Sequence, residues 1–287
     1  MSDTDAMPLA PGARPRATVR AALTTAGVGL ALLVGGCGGS GTSRGGAPLD
    51  VVRAAGDKVV GAGSSRFLLT SLTTVGPQKV TFTGDGAFDY AGRTGTLDLK
   101  LDAAGGRGGD IQERITGGNL YLSLPTMPGI FYKLALSDVG GTSLGSSTDP
   151  SASFAALKGA ATGVTKVGIE QVRGASTTHY KGTIDVKRAL DQATGLSKQV
   201  LEKGLASSGL TSLPFEAYVD DQGRLRKYIQ VIEVPGSAKT GGKPIDASTT
   251  VELYDFGTKV DVQVPAADKT KDGAPLLRAL KGGPAAG

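Results

Sequence analysis

From Arg66 onward, apolar residues recur at every second position in one short stretch after another, and glycine-bearing turns separate the stretches. A two-residue period puts alternate side chains on opposite faces of an extended strand, so such a chain must build sheet with one apolar and one more polar face. Phe67–Leu72 opens the series, before a turn at Gly76-Pro77. In Lys79–Tyr90, Val80, Phe82, Phe88 and Tyr90 alternate with Lys79, Thr81 and Thr83, and the internal Gly84-Asp85-Gly86 predicts a bulge or bend. Leu97, Leu99 and Leu101 share a face opposite Thr96, Asp98 and Lys100, while Leu120, Leu122 and Leu124 alternate with Tyr121 and Ser123. Ile111–Thr116, Ile130–Leu134, Val164–Val172, Thr177–Val186, Leu213–Val219, Arg224–Glu233 and Thr249–Phe256 continue the pattern, and Val260, Val262 and Val264 predict the closing strand.

The period changes to three or four residues in a few places. Leu49, Val52, Ala55 and Val59 form the apolar stripe of a helix over Ala47–Gly63. Asp149-Pro150 offers a capping side chain and a first-turn proline for a helix over Ser151–Gly159. Leu190, Ala193, Leu196, Val200 and Leu201 mark a second long helix over Lys187–Leu205. With about eleven or twelve strands and no alternation of strand and helix, the chain is α+β. No internal repeat divides it, so 47–265 reads as one domain, and the Ala-, Lys-, Asp- and Gly-rich 266–287 reads as a flexible tail with a short helix possible over Ala274–Leu280.

The segment before the domain carries its own signal. Arg14, Arg16 and Arg20 precede an apolar run, Ala21–Val34, of 14 residues, short of the roughly 20 that a membrane-spanning helix needs. It ends at Val34-Gly35-Gly36-Cys37, and Cys37 is the only cysteine, which excludes a disulfide within the chain. This tetrapeptide resembles a bacterial lipobox, with valine where leucine is commoner. The resemblance implies a signal peptide over 1–36, cleavage between Gly36 and Cys37, a covalent lipid on Cys37, and a body held at the outer face of the cell membrane. An ordinary secretory signal, or a short anchor, with an incidental cysteine is the alternative. The Gly/Ser-rich 37–46 is a flexible tether of roughly 15–18 Å root-mean-square span. The net charge of +5 contains no Lys/Arg block, so it is no nucleic-acid footprint.

A search for catalytic chemistry finds little. His179 is the only histidine. It could serve as a general base, but no G-x-S-x-G elbow accompanies it and its strand parity puts it on the polar face, as a solvated strand histidine. No Cys or His pair and no calcium-loop spacing is present, so no metal or other cofactor is expected. Asp220-Asp221-Gln222-Gly223 reads as a polar turn. The glycine-rich Gly105–Gly109 lacks the Lys-Ser/Thr that cradles phosphate. No catalytic residue is assigned, and the chain reads as a non-enzyme.

Three stretches carry a family resemblance. Val172-Arg173-Gly174 followed by Thr177–Asp185, Ala217–Lys227, and Tyr254-Asp255-Phe256-Gly257, in this order behind a lipobox, resemble the LppX/LprAFG-like lipoproteins of actinobacteria. The resemblance covers Pro48 to about Pro265. It implies a LolA-like fold: an antiparallel half-barrel of about eleven strands, its concave face covered by helices. It further implies an apolar cavity for a lipid or lipoglycan, with Val80, Phe82, Phe88, Leu97, Leu99, Leu120, Leu122, Leu134, Ile184 and Val231 as lining candidates. The family has no ligand-contact motif to carry over, and the same ten residues could instead pack as core. The expected protein is a membrane-anchored monomer that binds, and could transport, an apolar ligand. A lipid-anchored interaction module for envelope proteins is the rival.

Overall fold

The computed structural model describes residues 47–103, 105–106, 108–139, 151–192, 209–236 and 241–280. The leader, Cys37, the tether, the Asp149-Pro150 cap, residues 193–205 of the second long helix and residues 281–287 lie outside the described residues.

Helix α1 (Pro48–Val60) starts on a proline and buries Val52, Ala55 and Val59. Six strands follow: β1 (Ser64–Val75), β2 (Gln78–Asp89), β3 (Thr94–Ala103), β4 (Gly109–Thr116), β5 (Asn119–Ser123) and β6 (Phe131–Ala135). The short α2 (Leu136–Val139) and α3 (Ser151–Ala160) precede β7 (Ala161–Val172) and β8 (Ala175–Asp185). Then come α4 (Val186–Gln192), β9 (Ser212–Asp220), β10 (Leu225–Val234) and β11 (Ile245–Tyr254). A 3-10 turn (Ala267–Lys269), β12 (Thr270–Asp272) and α5 (Ala274–Leu280) complete the described residues.

All twelve strands form one open sheet in the order β12-β6-β5-β4-β3-β2-β1-β11-β10-β9-β8-β7. Every pairing is antiparallel except β12 with β6. The β1–β11 pairing joins the two runs of hairpins at mid-sheet. One face carries the core. Val52, Ala55 and Val59 of α1 and Phe154 and Leu157 of α3 cluster there with Phe67, Phe88, Leu97, Phe215, Tyr228 and Leu253 of the sheet. Helix α1 lies against β7, β9, β10, β1 and α3, and Arg53 donates from Nη2 to the Ala161 carbonyl at 3.1 Å, where α3 passes into β7.

Four expectations change. Gly84-Asp85-Gly86 makes no bulge: the β1–β2 and β2–β3 registers run through it without a shift. The glycine is needed at 86 because a Cβ would strike the Phe67 ring and the Thr96 carbonyl. Val260, Val262 and Val264 form no strand, since both edges of β11 are already taken by β1 and β10. Alternation alone marks an extended chain, whereas a strand also requires an unpaired edge. Residues 267–280, expected as flexible tail, instead pair β12 with β6 and pack Leu277 against the core. His179 is buried at 4% exposure, not solvated.

Candidate functional site

Register sorts the helix face of the central strands into rows. The first holds Leu253, Phe67, Gly86, Leu97, Glu113 and Leu122, and its side chains are no more than 2% exposed. The second holds Tyr228, Val251, Leu69, Gly84, Leu99 and Ile111, where burial begins to loosen at Leu69 and Ile111. In the third row, Phe215 is buried but Gln230, Thr249, Ser71, Phe82 and Leu101 are half-exposed. The fourth row, Ile232, Ala247, Thr73, Val80 and Ala103, is half-exposed throughout. Val234, Ile245 and Val75 continue apolar side chains to the rim. One half of the helix face is therefore packed core, and the other is an apolar floor that retains accessible surface.

The ten lining candidates divide along this boundary. Phe88, Leu97, Leu99, Leu120, Leu122, Leu134 and Ile184 are buried at 7% exposure or less. Val80 and Phe82 lie together on the half-open floor. Val231 is not brought together with them, because it pairs with Ser248 on the opposite face. The cause is a register shift between Leu225 and Lys227. It moves the inward positions of β10 from the odd residue Leu225 to the even Tyr228, Gln230 and Ile232, and one residue of slip turns every later side chain over. Of the floor residues that the sequence reading omitted, Ile232 follows once this parity is corrected, whereas Leu69, Leu101 and Ala247 lie on strands with no such shift.

A hydrogen-bonded band crosses the floor in its third row. Ser71 Oγ and Thr249 Oγ1 are 3.2 Å apart. Tyr228 donates its hydroxyl to Gln230 Oε1 at 2.6 Å, and Gln230 Nε2 donates to the Pro214 carbonyl at 3.3 Å. Burial pushes the Tyr228 phenol well above its ordinary range, so it remains a donor.

The outer face is different in kind. His179 Nδ1 lies 2.7 Å from Glu170 Oε1, and its ring stacks on Tyr218 at 4.2 Å. Nε2 is 3.0 Å from Glu216 Oε2 but makes no hydrogen bond. Glu216 also takes the Tyr218 hydroxyl at 3.1 Å and faces Lys181 Nζ at 3.0 Å. Burial alone would raise the Glu216 carboxyl; its bonds with Lys181 and Tyr218 and the charges of Lys181 and His179 bring it below its ordinary value. These groups bond to one another on the outer surface of the sheet, with His179 Nε2 left without a hydrogen bond. Among the described residues, no cluster of His, Cys, Asp or Glu could hold a metal ion. A recess of about 530 Å³, lined by Thr81, Thr83, Lys100, Leu101, Asp102, Gly106, Gly108 and Gly109, includes none of the ten candidates.

Fold and face together define a class: an open, largely antiparallel sheet with helices on one face and an apolar floor reaching its rim. No family model matches the chain. Among curated proteins it is similar to an uncharacterized 31.2 kDa protein of the rplA-rplJ intergenic region of Streptomyces griseus, 34% identical over 118 residues, or 40% of this chain and 36% of that protein. The match thus spans little more than a third of the curated relative. Among solved structures the chain is similar to LprF from Mycobacterium bovis, with 13% identity, 77% of this chain and 97% of that chain covered, and a TM-score of 0.49. It is similar also to the lipoprotein LppX of Mycobacterium tuberculosis, with 17% identity, coverage of 75% and 98%, and a TM-score of 0.45.

Proposed function

We propose that this protein is an extracytoplasmic lipoprotein, anchored through a lipid on Cys37, that binds a lipid or other apolar ligand on the half-open floor. The observation that carries the reading is the run of half-exposed apolar side chains on the helix face: Phe82, Leu101, Val80, Ile232, Ile245 and Val234. Soluble monomers seldom leave a large contiguous apolar surface without a use for it, and a concave apolar site with a few polar groups is the usual form of a small-molecule pocket. No helix among the described residues is long and apolar enough to cross a membrane, which is compatible with attachment through the amino-terminal segment.

The test is direct. Full-length protein extracted in mild detergent is analysed by native mass spectrometry and organic extraction. A stoichiometric lipid, lost in a Phe82→Arg variant, supports the reading. Repeatedly empty protein that takes up no apolar probe overturns it. Transfer is a further step, read by movement of a labelled lipid between donor and acceptor vesicles. The rival, a packed interaction module, draws on the burial of seven of the ten candidates, and it predicts the empty protein.

A further inference from the structure

The two ends of the sheet differ in kind. At the end where β1 begins, the connections after β2, β7, β9 and β11 carry Arg93, Arg173, Asp221, Arg224 and Asp255. At the other end, the rim to which the floor runs, Pro77 follows β1, Met127, Pro128 and Ile130 lie between β5 and β6, and Pro235 and Pro244 lie between β10 and β11. Each of these rim residues is exposed or half-exposed. Val75, Ile245 and Val234 form the last ladder row behind the prolines and are half-exposed as well. Lys79, Asp102, Glu233 and Asp246 border the rim from the outer face. The aliphatic stem of Lys243 packs over Gly76 in the β1–β2 turn. A lysine can lay its stem along apolar surface while its ammonium stays in a polar layer, so an apolar phase can meet this rim without burying a charge.

Helix α1 shows from which end the chain enters. Near its last turn, Lys58 Cγ is 3.7 Å from the position that a Cβ would take at Gly223, in the charged β9–β10 turn. Arg53, earlier in the helix, bonds the Ala161 carbonyl. Ala161 stands in the fourth row, because it pairs with Ile184 and Ile184 with Leu213, the next inward position of β9 beyond Phe215. Pro48 lies about 7 Å further along the axis, so α1 begins at the rim. The ten residues 37–46 span at most about 36 Å. The two ends of the sheet are about 40 Å apart, since β1 runs for 12 residues at about 3.3 Å each. A bilayer that holds Cys37 is therefore out of reach of the charged end unless this segment is drawn straight back along the domain, whereas the rim meets it at any shorter span.

On the lipid-anchor reading above, we infer that the rim around Val75, Pro77, Pro128, Val234 and Ile245 is a membrane-docking surface. Its partner is the headgroup and upper acyl region of the leaflet that carries the Cys37 lipid. Exposed apolar surface of this kind marks an interaction site. A contact too weak to hold a free protein suffices here, because attachment makes it an intramolecular event at high effective concentration. Docking sets the open end of the floor against the leaflet.

The experiment uses protein matured in the membrane of its host, extracted in mild detergent and reconstituted into vesicles of phosphatidylglycerol and phosphatidylethanolamine. The vesicles are made with or without a phosphatidylcholine that bears a nitroxide high on one chain. A bimane is attached at Gln78→Cys, beside the β1–β2 turn, or at Asp221→Cys in the β9–β10 turn, both exposed positions. The nitroxide lipid is expected to quench the first label and leave the second bright, and the added pair Val234→Asp/Pro128→Asp restores the fluorescence of the first. Equal quenching at the two sites, stronger quenching at Asp221→Cys, or quenching at neither on vesicle-bound protein overturns the inference and leaves the anchor reading intact. Unchanged quenching in the added pair, shown by circular dichroism to be folded, overturns it as well. Protein without an introduced cysteine that takes up the thiol label, or that leaves the vesicles, overturns both the anchor reading and the docking that rests on it.

Discussion

Arg226 Nε stands 2.8 Å from Asp220 Oδ2 across the β9–β10 turn. The same carboxylate accepts from Arg224 Nε at 2.9 Å and from the backbone N–H of Gln222 and Arg224, and its side chain is 2% exposed. Both guanidinium groups lie over the Phe256 ring, at 4.4 and 4.7 Å from its centroid. Nearby, Arg173 pairs with Glu252 at 2.9 Å and lies 4.0 Å over the Tyr254 ring. The three stretches that carry the family resemblance thus meet in space, and they meet as structural ties between β7, β10 and β11 rather than at the apolar floor. Their chemistry speaks for fold and says little about ligand.

Removal of the shared carboxylate leaves two guanidinium groups facing each other with no counter-charge. Breaking a buried pair costs about 3–5 kcal/mol, and because Arg224 and Arg226 keep 17% and 18% exposure, Asp220→Ala should fall at the low end. Thermal unfolding should register a Tm loss of roughly 6–12 °C. A loss within experimental error would mean that the cation–ring contacts alone hold the turn.

Protonation should do the same by degrees. Burial works to raise the Asp220 carboxyl, but the hydrogen bonds from Arg224 and Arg226 outweigh it and the group ends below its ordinary value of 3.8. A carboxyl lowered in the folded state binds fewer protons there than in the unfolded chain. Its contribution is therefore complete above the ordinary value and is lost as pH falls through the lower, folded one. The Tm difference between wild type and Asp220→Ala should be flat from pH 7 to about pH 5 and shrink below about pH 4. A gap that closes between pH 7 and 5 contradicts the assignment.

The glycine at 86 has a steric role that one substitution can expose. Phe67, at 1% exposure, occupies the space where a Cβ would stand, and the Thr96 carbonyl belongs to a paired strand and cannot retreat. Gly86→Ala should destabilise by about 1–3 kcal/mol, as overpacking does. The double variant with Phe67→Leu should recover part of the loss of Gly86→Ala. Denaturant melts of the single and double variants read that coupling.

Much of this fold was legible because period two survives in nearly every strand: β1 to β6 and β8 to β10 begin and end within a few residues of the apolar alternation. Helix α1 likewise follows its Leu49, Val52, Ala55, Val59 stripe. What alternation cannot convey is the identity of the neighbour. His179 was legible as an outer-face residue, but Glu170 and Glu216, which bury it, come from strands on either side. The shift after Leu225 left no mark in composition, so the inward parity of β10 was read in the wrong phase and Val231 took the place of Ile232. β12 is three residues long with no alternation to detect, and its parallel pairing with Phe131–Lys133 comes from far along the chain. The split of the helix face into packed and half-open halves depends on where α1 and α3 lie, which local pattern does not encode.

That split gives the sharpest test of where a ligand sits. Leu97 is fully buried, and truncation to alanine should cost about 2–5 kcal/mol. Phe82 shares a face with Leu97 but lies two rows nearer the rim and is half-exposed, so Phe82→Ala leaves an opening to solvent rather than a sealed void, and its stability cost should be the smaller of the two. Ligand uptake should reverse the order. Phe82→Ala removes apolar surface from the floor itself, and titration with an environment-sensitive apolar probe should show weakened binding. Leu97→Ala, measured at a temperature where it remains folded, should bind the probe with nearly the wild-type affinity. If instead probe binding follows stability across both variants, uptake reports loosening of the core, and the half-open floor is not the binding surface.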